Sequence, residues 1–257
     1  MRFIGILGLC GFVVLGGMAY QADAAELSWD AENFSARNGE GFAVLTPPFT
    51  VNANEATTAA RAPELVDADG NPTTEYTIEG PVFGGAFVGA GTPDSFTSDG
   101  SWLKYTFSVP VAGEWYFWGR LVAPTQGDNS FHWGIDIADA DAIAADNNNV
   151  NIWDFFEVAE LIDRYTTEWV WFRLNSRTGN PFPGIELDQY EEFGNNITPV
   201  ELTLGSHTFH LITREKAYLD AMFATTDVTF NPNETPPVSV EPQGKLTTTW
   251  GALKGGF

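Results

Sequence analysis

Apolar and polar residues alternate most clearly in the middle of the chain. In Trp102-Leu103-Lys104-Tyr105-Thr106-Phe107-Ser108-Val109, the apolar side chains fall on odd positions from Leu103 onward. Lys104, Thr106 and Ser108 face the other way. Pro110 to Gly113 turns the chain, and an aromatic-rich run over 114–122 returns beside the first as a second strand. A third run, 130–137, sets Phe131, Trp133, Ile135 and Ile137 on one face. The same pattern predicts strands over 168–174, 200–204, 208–213 and 218–224, with Gly205-Ser206 as a tight turn between the second and third of these. Weaker runs cover 27–34, 41–45, 75–79 and 86–89. Roughly ten short strands separated by turn signals predict an all-β sandwich or jelly roll. One stretch, 138–164, carries a helical spacing through Trp153, Phe156, Val158, Leu161 and Ile162, and predicts a short helical insertion. The glycine-, proline- and acid-marked stretch 176–199 reads as a second insertion.

Composition sharpens this picture. Aromatic residues make up 14% of the chain, and 26 glycines and 15 prolines supply the punctuation between strands. Residues 1–24 read as a signal peptide: Arg2 leads an uncharged run from Phe3 to Met18, and Ala22-Asp23-Ala24 has a small-x-small shape. Cys10 also allows a lipoprotein reading, which Leu9 before it and the apolar sequence up to Met18 disfavour. Export to the outside or the cell surface follows, with a sandwich domain over 25–230 and a linker and tail over 231–257. Asn231 to Pro237 has linker chemistry.

Cys10 is the only cysteine, so cleavage leaves no disulfide and no thiolate. The net charge of −22 repels phosphate backbones and anionic lipid, so neither nucleic acid nor membrane insertion is expected. His207 and His210 lie three apart in a predicted strand and so point to opposite faces, which argues against a shared metal. The sequence holds no Gly-x-Ser-x-Gly, phosphate-cradling glycine loop or His-Glu-x-x-His. A glycosidase-like pair among Glu186, Asp188, Glu191 and Glu192 competes with the plainer reading of a solvated acidic loop.

Sugars present apolar C–H faces beside hydroxyls, so a sugar reader needs flat rings and planar polar groups. Along 114–122, Trp115 shares a face with Phe117 and Leu121, whereas Trp118 shares the other with Tyr116 and Arg120. The second set is the candidate for a partly open face. Asn129 ends the following turn and Arg214 precedes the last strand. Trp118, Arg120, Asn129 and Arg214 are therefore expected in one patch, with a structural arginine as the rival reading of Arg120.

Several pieces stand in an order that resembles a known family. They are Trp29-Asp30-Ala31-Glu32-Asn33, Gly100-Ser101-Trp102-Leu103-Lys104-Tyr105 and Val109-Pro110-Val111-Ala112-Gly113-Glu114-Trp115-Tyr116, then Arg120, Leu204-Gly205-Ser206-His207-Thr208 and Tyr218-Leu219-Asp220-Ala221-Met222. The order is similar to that of the galactose-binding-like jelly rolls of carbohydrate-binding module families 6 and 35, over about residues 27–224. The resemblance implies non-catalytic binding of an extracellular glycan or polysaccharide. It also implies a structural calcium ion, with Asp30 and Glu32 matching the paired acids and Asp220 the acid of the last strand. Asp30 departs from the family's glutamate. A structural or adhesive surface domain and a polysaccharide-degrading enzyme are the rival readings.

Overall fold

The computed structural model describes residues 24–52, 67–71, 73–89, 100–123, 128–145, 150–154, 166–175, 199–234 and 237. The residues before Ala24, where a signal peptide is expected, the acids at 186, 188, 191 and 192, and the tail from 244 lie outside the described residues. So do Phe156, Val158, Leu161 and Ile162 of the expected helix.

Two antiparallel sheets pack face to face. The seven-stranded sheet runs β11 (Thr166–Arg173), β8 (Gly113–Ala123), β14 (Tyr218–Thr225), β6 (Phe87–Gly89), β3 (Ala43–Leu45). Off this path, β1 (Glu26–Asp30) pairs with β14 and β12 (Val200–Leu202) pairs with β8. The five-stranded sheet runs β10 (Asn151–Asp154), β9 (Ser130–Ile135), β13 (Gly205–Ile212), β7 (Trp102–Val109), β2 (Ala36–Asn38). A separate ribbon of β4 (Phe49–Asn52) and β5 (Glu75–Ile78) packs Val51, Tyr76 and Ile78 against Phe87, Val122 and Tyr218.

The alternation read along the chain decides what lies between the sheets. Leu103, Tyr105 and Phe107 of β7 and Phe209 and Leu211 of β13 meet Trp115, Phe117 and Leu121 of β8, all buried in one cluster. Trp29 of β1 lies on Phe107 with ring centroids 5.4 Å apart. Gly119, on the inner side of β8, has a packing reason. A Cβ there would run into the Trp153 ring and Leu219, so the indole can close on the strand only above a glycine.

Several expectations need correction. The runs 102–109 and 114–122 are strands, but not neighbours: β7 pairs with β13 and β2, and β8 with β14, β11 and β12. The turn between them carries the chain across the sandwich. Trp102 and Trp115 are both buried, at 5% and 0% exposure, but Trp102 packs outside the five-stranded sheet with Ala142, Val150 and Ile212. Gly205-Ser206 is not a hairpin turn. It opens β13, and β12 before it belongs to the other sheet. Trp153 is not helical but part of β10, because its partner Phe131 on β9 faces the same core. The helix described in that stretch is α1 (Asp139–Ile143).

Candidate functional site

Two of the three acids matched to a cation, Asp30 and Glu32, come together where β1 meets β14. Ala31 N–H donates to the Asp220 carbonyl at 2.9 Å, which seats the turn after β1 on the last strand. Gly84, with φ at +61°, lies so close that a Cβ would collide with Glu32 Oε1 and press on Asp30 Oδ2. The two carboxylates thus converge on one small space. Glu32 Oε2 is buried and has no hydrogen-bond partner. Burial, reinforced by Asp30 and Asp220, pushes Glu32 up to about 7, against its own backbone N–H. Burial also raises Asp30. Such an excess of buried negative charge suits a hard cation with oxygen ligands.

Asp220 is directed elsewhere. A bulge between Leu219 and Ala221 sets it beside Arg120, and the two form a close ion pair in which the carboxylate is fully buried. Its other oxygen accepts from Phe83 N–H at 2.9 Å. Burial pushes Asp220 up to about 7, and Arg120 and the Phe83 amide hold it from rising further. Among the described residues, no three acids or histidines already stand in a metal-holding arrangement.

The four residues expected in one sugar patch stand in two groups. Trp118 and Arg120 do share the outer face of β8, as alternation requires. Arg120, with 18% of its side chain exposed, donates to the Pro81 carbonyl and lies 5.3 Å from the Phe83 ring and 5.5 Å from the Trp169 ring. Trp118 is 8% exposed and packs with Trp171, Ala221 and Phe223, while Phe83 and Phe230 lie against that cluster. Asn129 immediately precedes β9 and Arg214 follows β13, both strands of the five-stranded sheet. Arg214 donates to Glu215 at 2.8 Å and to Ser130 Oγ, and Asn129 N–H donates to Glu215 at 3.3 Å. The single patch fails because the link from β8 to β9 changes sheets.

The outer face of β8 and β11 carries more than alternation along β8 could reveal. Register pairs Trp171 with Arg120 and Arg173 with Trp118. Trp169, partly exposed, anchors its indole N–H on the Glu79 carbonyl at 2.9 Å. Arg173 lies 4.4 Å from the centre of the Trp118 ring. The sequence signal for this arrangement was the triplet Trp169, Trp171, Arg173, spaced two apart on a strand. β11 is also the sheet edge, and Asn233 closes it: its side-chain amide accepts from Trp171 N–H at 3.1 Å and donates to the Trp171 carbonyl at 2.8 Å.

No family model and no curated protein matches the chain. Solved structures do resemble it. The C-terminal family 6 carbohydrate-binding module of a marine laminarinase from Zobellia galactanivorans aligns with 12% identity and a TM-score of 0.37, covering 79% of this chain and 100% of that one. A family 35 carbohydrate-binding module from Clostridium thermocellum gives 11% identity and a TM-score of 0.36, over 78% and 98% of the two chains. A β-1,4-mannanase of Podospora anserina with a family 35 module gives 11% and 0.40, over 80% of this chain and 29% of that one. The chain is similar to these modules in fold. Low identity and low TM-scores carry no residue's role across.

Proposed function

We propose that this domain is a non-catalytic carbohydrate-binding module, exported from the cell, which engages a glycan on the outer face of the seven-stranded sheet. The observation that carries the reading is the row of indoles and guanidiniums on β8 and β11: Trp169, Trp171, Arg120, Trp118 and Arg173. Flat indoles suit the C–H faces of sugar rings, and guanidinium forks suit vicinal hydroxyls. Trp169 and Arg173, each partly open to solvent, offer the first contacts. Arg120 contributes from behind, where Asp220 holds it. Asn129 and Arg214, joined through Glu215, shape the rim of the other sheet.

A calcium ion at Asp30 and Glu32 completes the proposal. Their converging oxygens and the unpartnered Glu32 Oε2 support it, with Asp220 adding lone pairs that Arg120 leaves unused. The ion would neutralise a buried acidic cluster and tie β1 to β14. It would take no part in sugar chemistry.

One observation favours a second reading. Trp118 and Trp171 lie under Phe83 and Phe230, as they would in an adhesive or scaffolding domain without sugar affinity. Retention of the purified protein on a panel of insoluble and immobilised polysaccharides separates the two. Binding to at least one, weakened tenfold or more in a Trp169→Ala variant that still folds, supports the module. Retention on none favours the scaffold, and release of reducing ends would make the protein an enzyme.

A further inference from the structure

Arg173 differs from the other described arginines, of which Arg37 pairs with Glu40 at 3.8 Å. Arg120 is paired with Asp220 and Arg214 with Glu215. Arg173 lies across the Trp118 ring at 4.4 Å without an ion pair among the described residues, in a chain with 34 acids and 12 bases. Its Nε is buried without an acceptor, as is the Trp118 indole N–H beneath it.

Two carboxylates flank the neighbouring Tyr116 and neither forms an ion pair with Arg173. Glu114 accepts from the Tyr116 hydroxyl at 3.1 Å, and Glu201 stands opposite Glu114 in the β12–β8 register. The backbone of Arg173 is fixed from behind, since its carbonyl accepts from the Trp153 indole N–H at 2.9 Å and from the Asn175 amide at 3.3 Å. The guanidinium is therefore a positioned fork of donors on an aromatic plate, partly open to solvent and without an anion among the described residues. A planar fork of this kind matches a two-oxygen acceptor better than a neutral hydroxyl. The overall field of the protein disfavours anions over the rest of the surface, so a cation with no ion pair among the described residues is the place for one.

We propose that Arg173, held on Trp118, is a subsite for an oxyanion carried by the glycan, either a uronate carboxylate or a sulfate ester. This inference rests on the glycan-binding reading above and names the class of sugar that the same face selects.

Calorimetric titration of the full-length protein with trigalacturonate, a sulfated galactotriose and unsubstituted galactotriose tests it. One of the two charged trisaccharides should bind at least tenfold more tightly than the neutral one, and which does so identifies the oxyanion. That preference should vanish in Arg173→Gln and survive in part in Arg173→Lys, which keeps the charge but loses the fork. The comparison of charged and neutral sugars on the unaltered protein needs no variant to fold. Equal affinity for all three, or a preference that persists in a folded Arg173→Gln, overturns the subsite and leaves the module standing. Failure to bind any of these sugars or any polysaccharide of the panel overturns both.

Discussion

Arg120 has two neighbours that pull its reading in opposite directions, an open tryptophan and a buried carboxylate. The ion pair with Asp220 makes a definite prediction. Arg120→Ala leaves the buried Asp220 without its cation, with the Phe83 amide as its remaining donor, and should cost about 3 kcal/mol of stability, read as a lower denaturation midpoint. An unchanged midpoint would show that the pair contributes nothing. The alternation along β8 placed Trp118 and Arg120 on one face from sequence alone. The bulge that turns Asp220 toward Arg120 was not legible, because β14 is buried along its whole length and offers no alternation for an extra residue to break. His207 yields a pH dependence. Its Nδ1 lies 2.6 Å from Asp136 and its Nε2 2.8 Å from the Thr203 carbonyl, so both nitrogens can donate only in the charged ring. Burial lowers the His207 pKa, but Asp136 and the Thr203 carbonyl outweigh it and leave the value above 6.5. The histidine therefore binds its proton more tightly in the folded state. Its stabilisation is complete below 6.5 and is lost as pH rises through the folded value. His210 shifts the other way, since burial outweighs the Asp139 bond. The difference in melting temperature between wild type and His207→Gln isolates the first residue. That difference should shrink from pH 5.5 to pH 8, and a constant gap would refute the assignment.

At the scale of elements, Asn233 acts as one extra rung on the edge of β11. Edge strands expose unpaired amides, and proteins commonly cover them. Here a side-chain amide satisfies both backbone groups of Trp171, and Phe230 packs at a tilt against Phe223, ring centroids 4.8 Å apart, to hold the segment down. Asn233→Ala should cost about 1 kcal/mol and speed hydrogen exchange at the Trp171 amide. Unaltered exchange there would mean that the cap is not formed in solution. The strands themselves were largely readable: 102–109, 114–122 and 218–224 match β7, β8 and β14 within a residue or two. What stayed hidden was sheet membership. A turn such as Pro110 to Gly113 looks the same whether it closes a hairpin or crosses the core, because the difference lies in long-range pairing. The short strands β2, β4 and β10 escaped for a related reason, as three or four residues give alternation too little length.

On the scale of the whole molecule, 34 acids against 12 bases oppose compaction, and the acids around Glu32 concentrate that cost where the first and last strands meet. A cation bound there would favour the folded state by mass action. Excess chelator should lower the melting temperature, added calcium should restore it, and Glu32→Gln should abolish the response. Identical melting with and without chelator would remove the ion from the account. Paired acids at Asp30 and Glu32 could be read from sequence; the diversion of Asp220 to Arg120 could not.

The register of β1 against β14, from Glu26 opposite Thr225 to Asp30 opposite Ala221, has a consequence for how the protein is made. Because β14 also lies between β8 and β6, the larger sheet has a gap at its centre until the ribosome has released residue 225. A domain built this way cannot close while its amino-terminal half is emerging, and non-local pairing makes closure slow even afterwards. A chain threaded through a translocation channel during or just after synthesis has to remain extended. On the export proposed above, this strand order would keep the polypeptide in that state until it reaches the compartment where it folds.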